Sequence, residues 1–232
     1  MSSRPRPSPA VSATYKVRKA AVLGAGVMGA QIAAHLVNAG IPALLYELPS
    51  PQGDRSANAM RAIEALRKLE PSPLSYPAVT EHIRPLNYEE HLAELEDCDL
   101  VIEAISERLD WKADLYSRVA PHVRDTAAFV TNTSGLSIDA LAQALPQSLR
   151  ARFCGVHFFN PPRYMHLVEL IPGSATDARL LDDLEEFLVT ALGKGVVRAK
   201  DTPNFIGNRV GVFSLLAVMH HAERLELGLD AV

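Results

Sequence analysis

The sequence predicts a doubly wound α/β chain, with a mostly parallel sheet and helices on both faces. Three observations carry that expectation. Apolar runs of strand length recur along the chain and are continuous rather than alternating, as strands buried on both faces require. Stretches of helical period separate them. A glycine cluster also follows the first run, where such a fold turns from strand into helix.

In chain order, AAVLG (20–24) is a strand, GVMGAQIAAHLVNAG a helix that Gly40 is placed to end, and IPALLYE (41–47) a second strand. LPSPQGD is turn-rich, NAMRAIEALRKLE is helical, and EPSPLSYP (70–77) breaks that helix. HIRPLN, DLVIEAI (99–105), TAAFVTNT (126–133), RFCGVHF (152–158) and MHLVELI (165–171) complete the strands. From Asn204 a last helix runs through FIGNRVGVFSLLAVMHHAERLEL. Its residues Val210–Met219 are apolar or small apart from Ser214. A helix apolar nearly all round needs cover on the side away from its own sheet. The expected cover is a partner subunit in a homodimer, or another domain, met through residues 204–228. Three segments follow: a disordered Pro/Ser/Arg-rich tail at 1–17, an α/β domain at 18–203, and at 204–232 a last helical segment that looks cut short.

Bulk properties exclude several classes. At 232 residues the chain can bury a sizeable core. A net charge of −4 with no basic block leaves no footprint for nucleic acid. No apolar run is long enough to span a bilayer, and the N-terminus lacks the apolar core of a secretory signal. Cys98 and Cys154 are too few for a disulfide framework and suit a reducing, cytoplasmic setting. No metal-ligand spacing is present: His220 and His221 are adjacent and point to different helix faces.

Gly24-x-Gly26-x-x-Gly29 follows a strand and opens a helix, the context in which this motif binds a dinucleotide. Gly24 permits a tight turn, Gly26 lets backbone approach a pyrophosphate, and Gly29 lets helix and sheet pack closely. Glu47 closes the second strand, where a carboxylate can bond both hydroxyls of an adenosine ribose and repel a 2′-phosphate. That favours NAD over NADP.

A second set of polar residues falls at the ends of later strands: Glu107, Asn132-Thr133-Ser134, His157 and Asn160 in HFFNP, and Glu169 in LVELI. Asn208 follows near the start of the last helix. Singly each has a plain reading, such as a core histidine, a helix cap in NTS before SIDALAQAL, or a surface acid at a strand edge. Together on one rim of a dinucleotide fold they read as a site.

GAGVMG, DLVIEAISE, TNTSGLSI, HFFNPPRYMHLVELIP and DTPNFIGNR together resemble the L-3-hydroxyacyl-CoA dehydrogenase family over residues 18–232, in particular the first module of bacterial multifunctional β-oxidation proteins. The resemblance implies oxidation of (S)-3-hydroxyacyl-CoA to 3-oxoacyl-CoA, with NAD as cofactor and an acyl-CoA as substrate. It makes His157 the general base and Glu169 the carboxylate that stabilises the imidazolium and fixes its tautomer. Ser134 and Asn208 hold the substrate oxygen, with Asn160 near the same pocket. Gly24, Gly26, Val27, Met28, Gly29, Glu47, Glu107 and Asn132 form the cofactor set, Glu107 on the nicotinamide-ribose side. A helical domain that dimerises follows in that family. Three positions depart from its pattern: Gly135 replaces a second serine, His166 a lysine, and Ala65 a serine that touches coenzyme A in some relatives. No coenzyme A contact is therefore carried over there, and Arg67 and Lys68 read as a solvated helix face. Two other readings stand beside the enzyme: an NAD-binding module that turns over poorly as an isolated fragment, and a non-enzymatic protein that keeps the fold.

Overall fold

A computed structural model describes residues 15–231. Residues 1–14 of the expected tail lie outside that range. Tyr15 and Val17, which composition had assigned to the tail, are packed: the Tyr15 hydroxyl donates to the Asp99 carbonyl at 2.6 Å, and Val17 is buried.

The elements are β1 (Ala20–Leu23), α1 (Val27–Asn38), β2 (Ala43–Glu47), α2 (Ala57–Leu66), β3 (Ile83–Asn87), β4 (Leu100–Glu103), α3 (Leu109–Val119), β5 (Ala128–Thr131), α4 (Ile138–Gln143), α5 (Gln147–Arg150), β6 (Phe153–Phe158), β7 (Leu167–Pro172), α6 (Ala178–Thr190), β8 (Gly195–Arg198) and α7 (Gly207–Arg224). Among the described residues, eight strands form one sheet in the order β3-β2-β1-β4-β5-β6-β7-β8. Every pairing is parallel except β6 with β7. The sheet is thus mostly parallel and doubly wound, as the continuous apolar runs imply. β6 and β7 are antiparallel because the loop 159–166 between them is too short for a crossover helix.

The continuous runs have a direct cause. Ala20 and Val22 of β1 enter one apolar layer with Ile32, Leu36 and Ile102, while Ala21 and Leu23 enter the opposite layer with Leu115, Tyr116 and Phe129. Both faces of each central strand are covered, so neither parity of residue is left polar. Gly40, at φ 78°, stops α1: its N–H reaches the Val37 carbonyl and the Ile41 N–H reaches Leu36, both at 3.0 Å.

Two features differ from the sequence expectation. β8 is an added edge strand, GVVR, short and partly exposed, reached from β7 through α6. α7 begins at Gly207 rather than Asn204, because Asn204 and Phe205 adopt left-handed backbone (φ 62° and 47°) that a right-handed helix cannot include. Along its length α7 buries no residue, and Phe213 is 72% exposed. Among the described residues, no helix is long and apolar enough to cross a membrane.

Candidate active site

The glycine loop joins β1 to α1 at the C-terminal edge of the sheet. Gly24 has φ +104°, and a β-carbon there would stand 2.8 Å from the Ala104 carbonyl oxygen. At Gly29 it would lie 1.8 Å from the Gly24 carbonyl oxygen, so α1 can sit this close to the loop only without a side chain. At Gly26 it would meet nothing within 4 Å: the space above that residue is open. Gly26 also begins α1 with no side-chain cap and no acid in the first turn, which leaves the helix amides facing that space. A diphosphate suits such a place on both hydrogen-bonding and dipole grounds.

Glu47 stands beside the loop at the end of β2. Its Oε2 accepts from the Ala25 N–H at 2.7 Å and its Oε1 from the Leu48 N–H at 2.8 Å. These bonds fix the carboxylate plane and leave further lone pairs for a ligand. A cavity of about 570 Å³ opens here, lined by Gly24, Gly26, Glu47, Leu48, Tyr88, Ile105 and Trp111 among others. A second cavity of about 530 Å³ shares Gly26, Ala104, Ile105 and Ser106 with it. The two form one cleft along the carboxyl edge of the strands, the ligand position for this sheet type. An uncapped helix end, an open glycine and an acid at ribose distance in sequence together suit a dinucleotide.

Polar residues of the second set gather round the other cavity. Its lining includes Val27, Met28, Glu107, Asn132, Ser134, His157, Phe159, Asn160 and Asn208. His157 and Glu169 are directly opposite in the antiparallel β6/β7 register, so their side chains share a face. The His157 Nδ1 lies 2.7 Å from Glu169 Oε2, with His157 5% and Glu169 0% exposed. A slip of one residue would send Glu169 to the other face and leave a buried imidazole unpaired. The Phe159 ring lies 4.5 Å from the imidazole and the Phe205 ring 6.0 Å from it, which keeps water from the pair.

The β5 end is tied down by Glu107. One oxygen, Oε1, accepts from Thr133 Oγ1 (2.6 Å), Ser134 N (2.6 Å), Ser134 Oγ (3.1 Å) and Gly135 N (3.1 Å). Burial would raise the Glu107 pKa, but the Thr133 hydroxyl, the Lys112 ammonium and Ser134 outweigh it and hold the carboxyl below its usual value. Asn208 Nδ2 donates to the Ser134 carbonyl at 3.3 Å, joining the start of α7 to the same loop. Asn132 Oδ1 accepts from the Phe158 N–H at 2.9 Å, and Asn160 Oδ1 from Gln31 Nε2 at 3.3 Å. The NTS segment is not the cap of α4. That part belongs to Ser137, which accepts from the Ala140 N–H.

Sequence reasoning missed the support beneath the cleft. Glu103, at the end of β4, accepts from Lys112 Nζ (2.5 Å), Tyr116 OH (2.8 Å), Thr131 Oγ1 (2.7 Å) and the Ile105 N–H (2.7 Å). Both charges of the Glu103–Lys112 pair are fully buried, which is tolerable because the carboxylate has four donors. Lys112 also stands 3.6 Å from Glu107 Oε2 and so joins both acids. The available signal was an acid at the end of an apolar strand; a lysine in DWKADLYS looks like a surface residue.

Comparison with known proteins gives the family of the chain. Residues 19–202 match the family described as 3-hydroxyacyl-CoA dehydrogenase, NAD binding domain. A probable 3-hydroxyacyl-CoA dehydrogenase of Deinococcus radiodurans is 44% identical over 213 residues, covering 91% of this chain and 62% of its own length. A putative fatty acid oxidation complex trifunctional enzyme of Rickettsia felis is 40% identical over 218 residues, covering 94% of this chain and 30% of its own. The solved structure of 3-hydroxybutyryl-CoA dehydrogenase from Escherichia coli K12 aligns with a TM-score of 0.71 at 35% identity, covering 84% of this chain and 40% of that one. The chain spans less than two thirds of the length of each of these proteins.

Proposed function

The chain belongs to the 3-hydroxyacyl-CoA dehydrogenase family, as its NAD-binding domain, and from that premise we propose that it oxidises (S)-3-hydroxyacyl-CoA to 3-oxoacyl-CoA in fatty-acid β-oxidation. NAD is the cofactor of this domain. The α1 amides from Gly26 to Met28 hold its diphosphate, the Glu47 carboxylate its adenosine ribose, and Glu107 and Asn132 flank the nicotinamide end. Bound there, NAD supplies the hydride acceptor.

His157 takes the 3-hydroxyl proton of the substrate as hydride leaves carbon 3. With Glu169 Oε2 accepting from Nδ1–H, the lone pair of His157 sits on Nε2, where a base needs it. As the proton arrives the imidazole becomes cationic, and the buried Glu169 carboxylate balances that charge where solvent cannot. Ser134 and Asn208 bond the substrate oxygen, and Asn160 borders the same cavity. The single observation that carries this reading is the buried 2.7 Å His157–Glu169 pair, with His157 in the wall of the cleft. We place the protein in the cytoplasm, in keeping with two buried free cysteines.

The test supplies (S)-3-hydroxybutyryl-CoA and NAD and follows NADH absorbance. His157→Ala is expected to slow turnover by roughly 10²–10⁴-fold with NAD affinity retained. No turnover by this chain or by one extended with further helices, or a variant as fast as wild type, would overturn the reading.

The exposure of α7 favours a second reading for this chain alone: residues 204–232 begin a helical domain that closes the substrate site, and without it turnover is poor. Rates of this chain and of one extended by further helices separate the two; equal rates remove the second.

A further inference from the structure

Glu169 uses one oxygen on His157. The other, Oε1, accepts from the backbone N–H groups of Ile206 (2.8 Å) and Gly207 (2.7 Å). These are donors that a helix start leaves unpaired, and α7 has no side-chain cap of its own. The bonds are charge-assisted, and a negative charge at this end of a helix is favoured by its dipole. A fully buried carboxylate thus joins the imidazole in β6 to the first turn of α7.

Two local features permit the contact. The left-handed residues Asn204 and Phe205 turn the chain sharply, and Phe205 is buried beside the imidazole. Gly207 then lets α7 settle. A β-carbon at that position would lie 2.6 Å from Phe159 Cζ, 3.1 Å from Phe159 Cε1 and 3.7 Å from Glu169 Oε1. Contacts at 2.6 Å do not persist between carbons, so any side chain at 207 displaces either α7 or the Phe159 ring. That ring is the one packed 4.5 Å from His157.

We infer that Gly207 is a positioning residue for His157: its missing side chain lets α7 seat on Phe159 and Glu169, and that seating fixes the imidazole. The inference rests on the reading of His157 as the base and deepens it. It also links the base to Asn208, the next residue, whose side chain reaches the Ser134 loop. The orientation of the base and the placement of the substrate-holding amide are then set by one event, the docking of the α7 first turn.

The experiment uses the chain without substrate and reads the ¹⁵N NMR signals of the His157 ring with amide exchange at Ile206 and Gly207. Wild type is expected to carry the ring proton on Nδ1 and to protect both amides. In Gly207→Ala the Nδ1-protonated form loses population and both amides exchange about tenfold faster or more. NAD affinity stays within about twofold, since the adenosine end is untouched, and this reports that the variant is folded. In the assay kcat falls about tenfold or more, as small misplacements of reacting groups do. Adding Phe159→Leu removes the ring atoms that the new methyl meets, and is expected to return the His157 signals toward wild type. Glu169→Gln cannot accept on both oxygens, so it deprotects the two amides or changes the imidazole tautomer. Wild-type ring signals and exchange in Gly207→Ala, or a double variant no closer to wild type than the single, would overturn the inference. The NMR arm needs no turnover. Coupled ring and amide changes without NADH formation would instead count against the dehydrogenase reading alone.

Discussion

α1 and the Val210–Met219 stretch of α7 are both apolar in sequence and have opposite fates. α1 reads VMGAQIAAHLVN and buries eight of its twelve residues between sheet and neighbouring helices. α7 reads GNRVGVFSLLAVMHHAER over eighteen residues and buries none. The difference lies in what the chain places around each. Gly29 and the small residues Ala30, Ala33 and Ala34 let α1 approach β1 and the glycine loop at backbone distance. Among the described residues α7 is tied to the rest of the fold at its first turn, through Glu169 and Asn208, and its Leu215, Leu216 and Met219 stay more than half exposed. Apolar patterning states that a helix wants cover; it does not state which element provides it.

Variants on these helices should therefore differ sharply in effect. The largest change is expected from Gly29→Val, whose branched side chain would overlap the Gly24 carbonyl. It should cost upwards of about 3 kcal/mol in a urea unfolding curve and abolish NAD binding. A stable Gly29→Val variant would mean that α1 is not seated as described. Next, Glu47→Ala removes the carboxylate beside the loop. Isothermal titration should then show NAD bound roughly 10–100-fold more weakly, the equivalent of one or two hydrogen bonds to a charged group. Unchanged affinity would separate Glu47 from the ribose.

His35 gives a pH-dependent contrast. Burial, and then the nearby Lys194, push its pKa down to about 4, while its Nε2 contacts the Leu192 carbonyl at 3.1 Å. The unfolded chain binds a proton near pH 6.5 and the folded one does not, so the unfolded state holds more protons between about pH 6.5 and 4. Stability therefore falls as pH is lowered through that window. His35→Gln should flatten the fall, by about 2 kcal/mol at pH 4, in unfolding curves taken from pH 7 to 4. Parallel curves for the two proteins would remove His35 as the source. The smallest effect belongs to α7: Leu216→Glu should alter stability by less than about 0.5 kcal/mol, because Leu216 is 57% exposed. A larger loss that grows with protein concentration would mean that a second copy covers this face.

Much of the glycine loop's backbone geometry was legible in the sequence because glycines carry their own geometric demand. A positive φ at Gly24 and zero clearance at Gly29 are requirements on single residues, and they leave a motif. The pairing of His157 with Glu169 is of another kind. It depends on an antiparallel register between two strands, and the residues alone offered only a histidine and an acid; the family resemblance brought them together. The Glu103–Lys112 support was not legible, since a lysine on an amphipathic helix gives no sign that a buried acid waits beneath it. The second role of Glu169 was equally hidden, because its partners are backbone amides, which every residue has. β8 escaped notice for a simpler reason: four half-exposed residues make too weak a pattern.

The account turns on His157 acting as base from within its buried pair, and one measurement tests that most directly. Single-turnover NADH formation from (S)-3-hydroxybutyryl-CoA is followed in wild type and His157→Gln, with NAD affinity measured on the same samples. The expected result is a rate lower by roughly 10²–10⁴-fold at equal NAD affinity. Equal rates in the two proteins would contradict it.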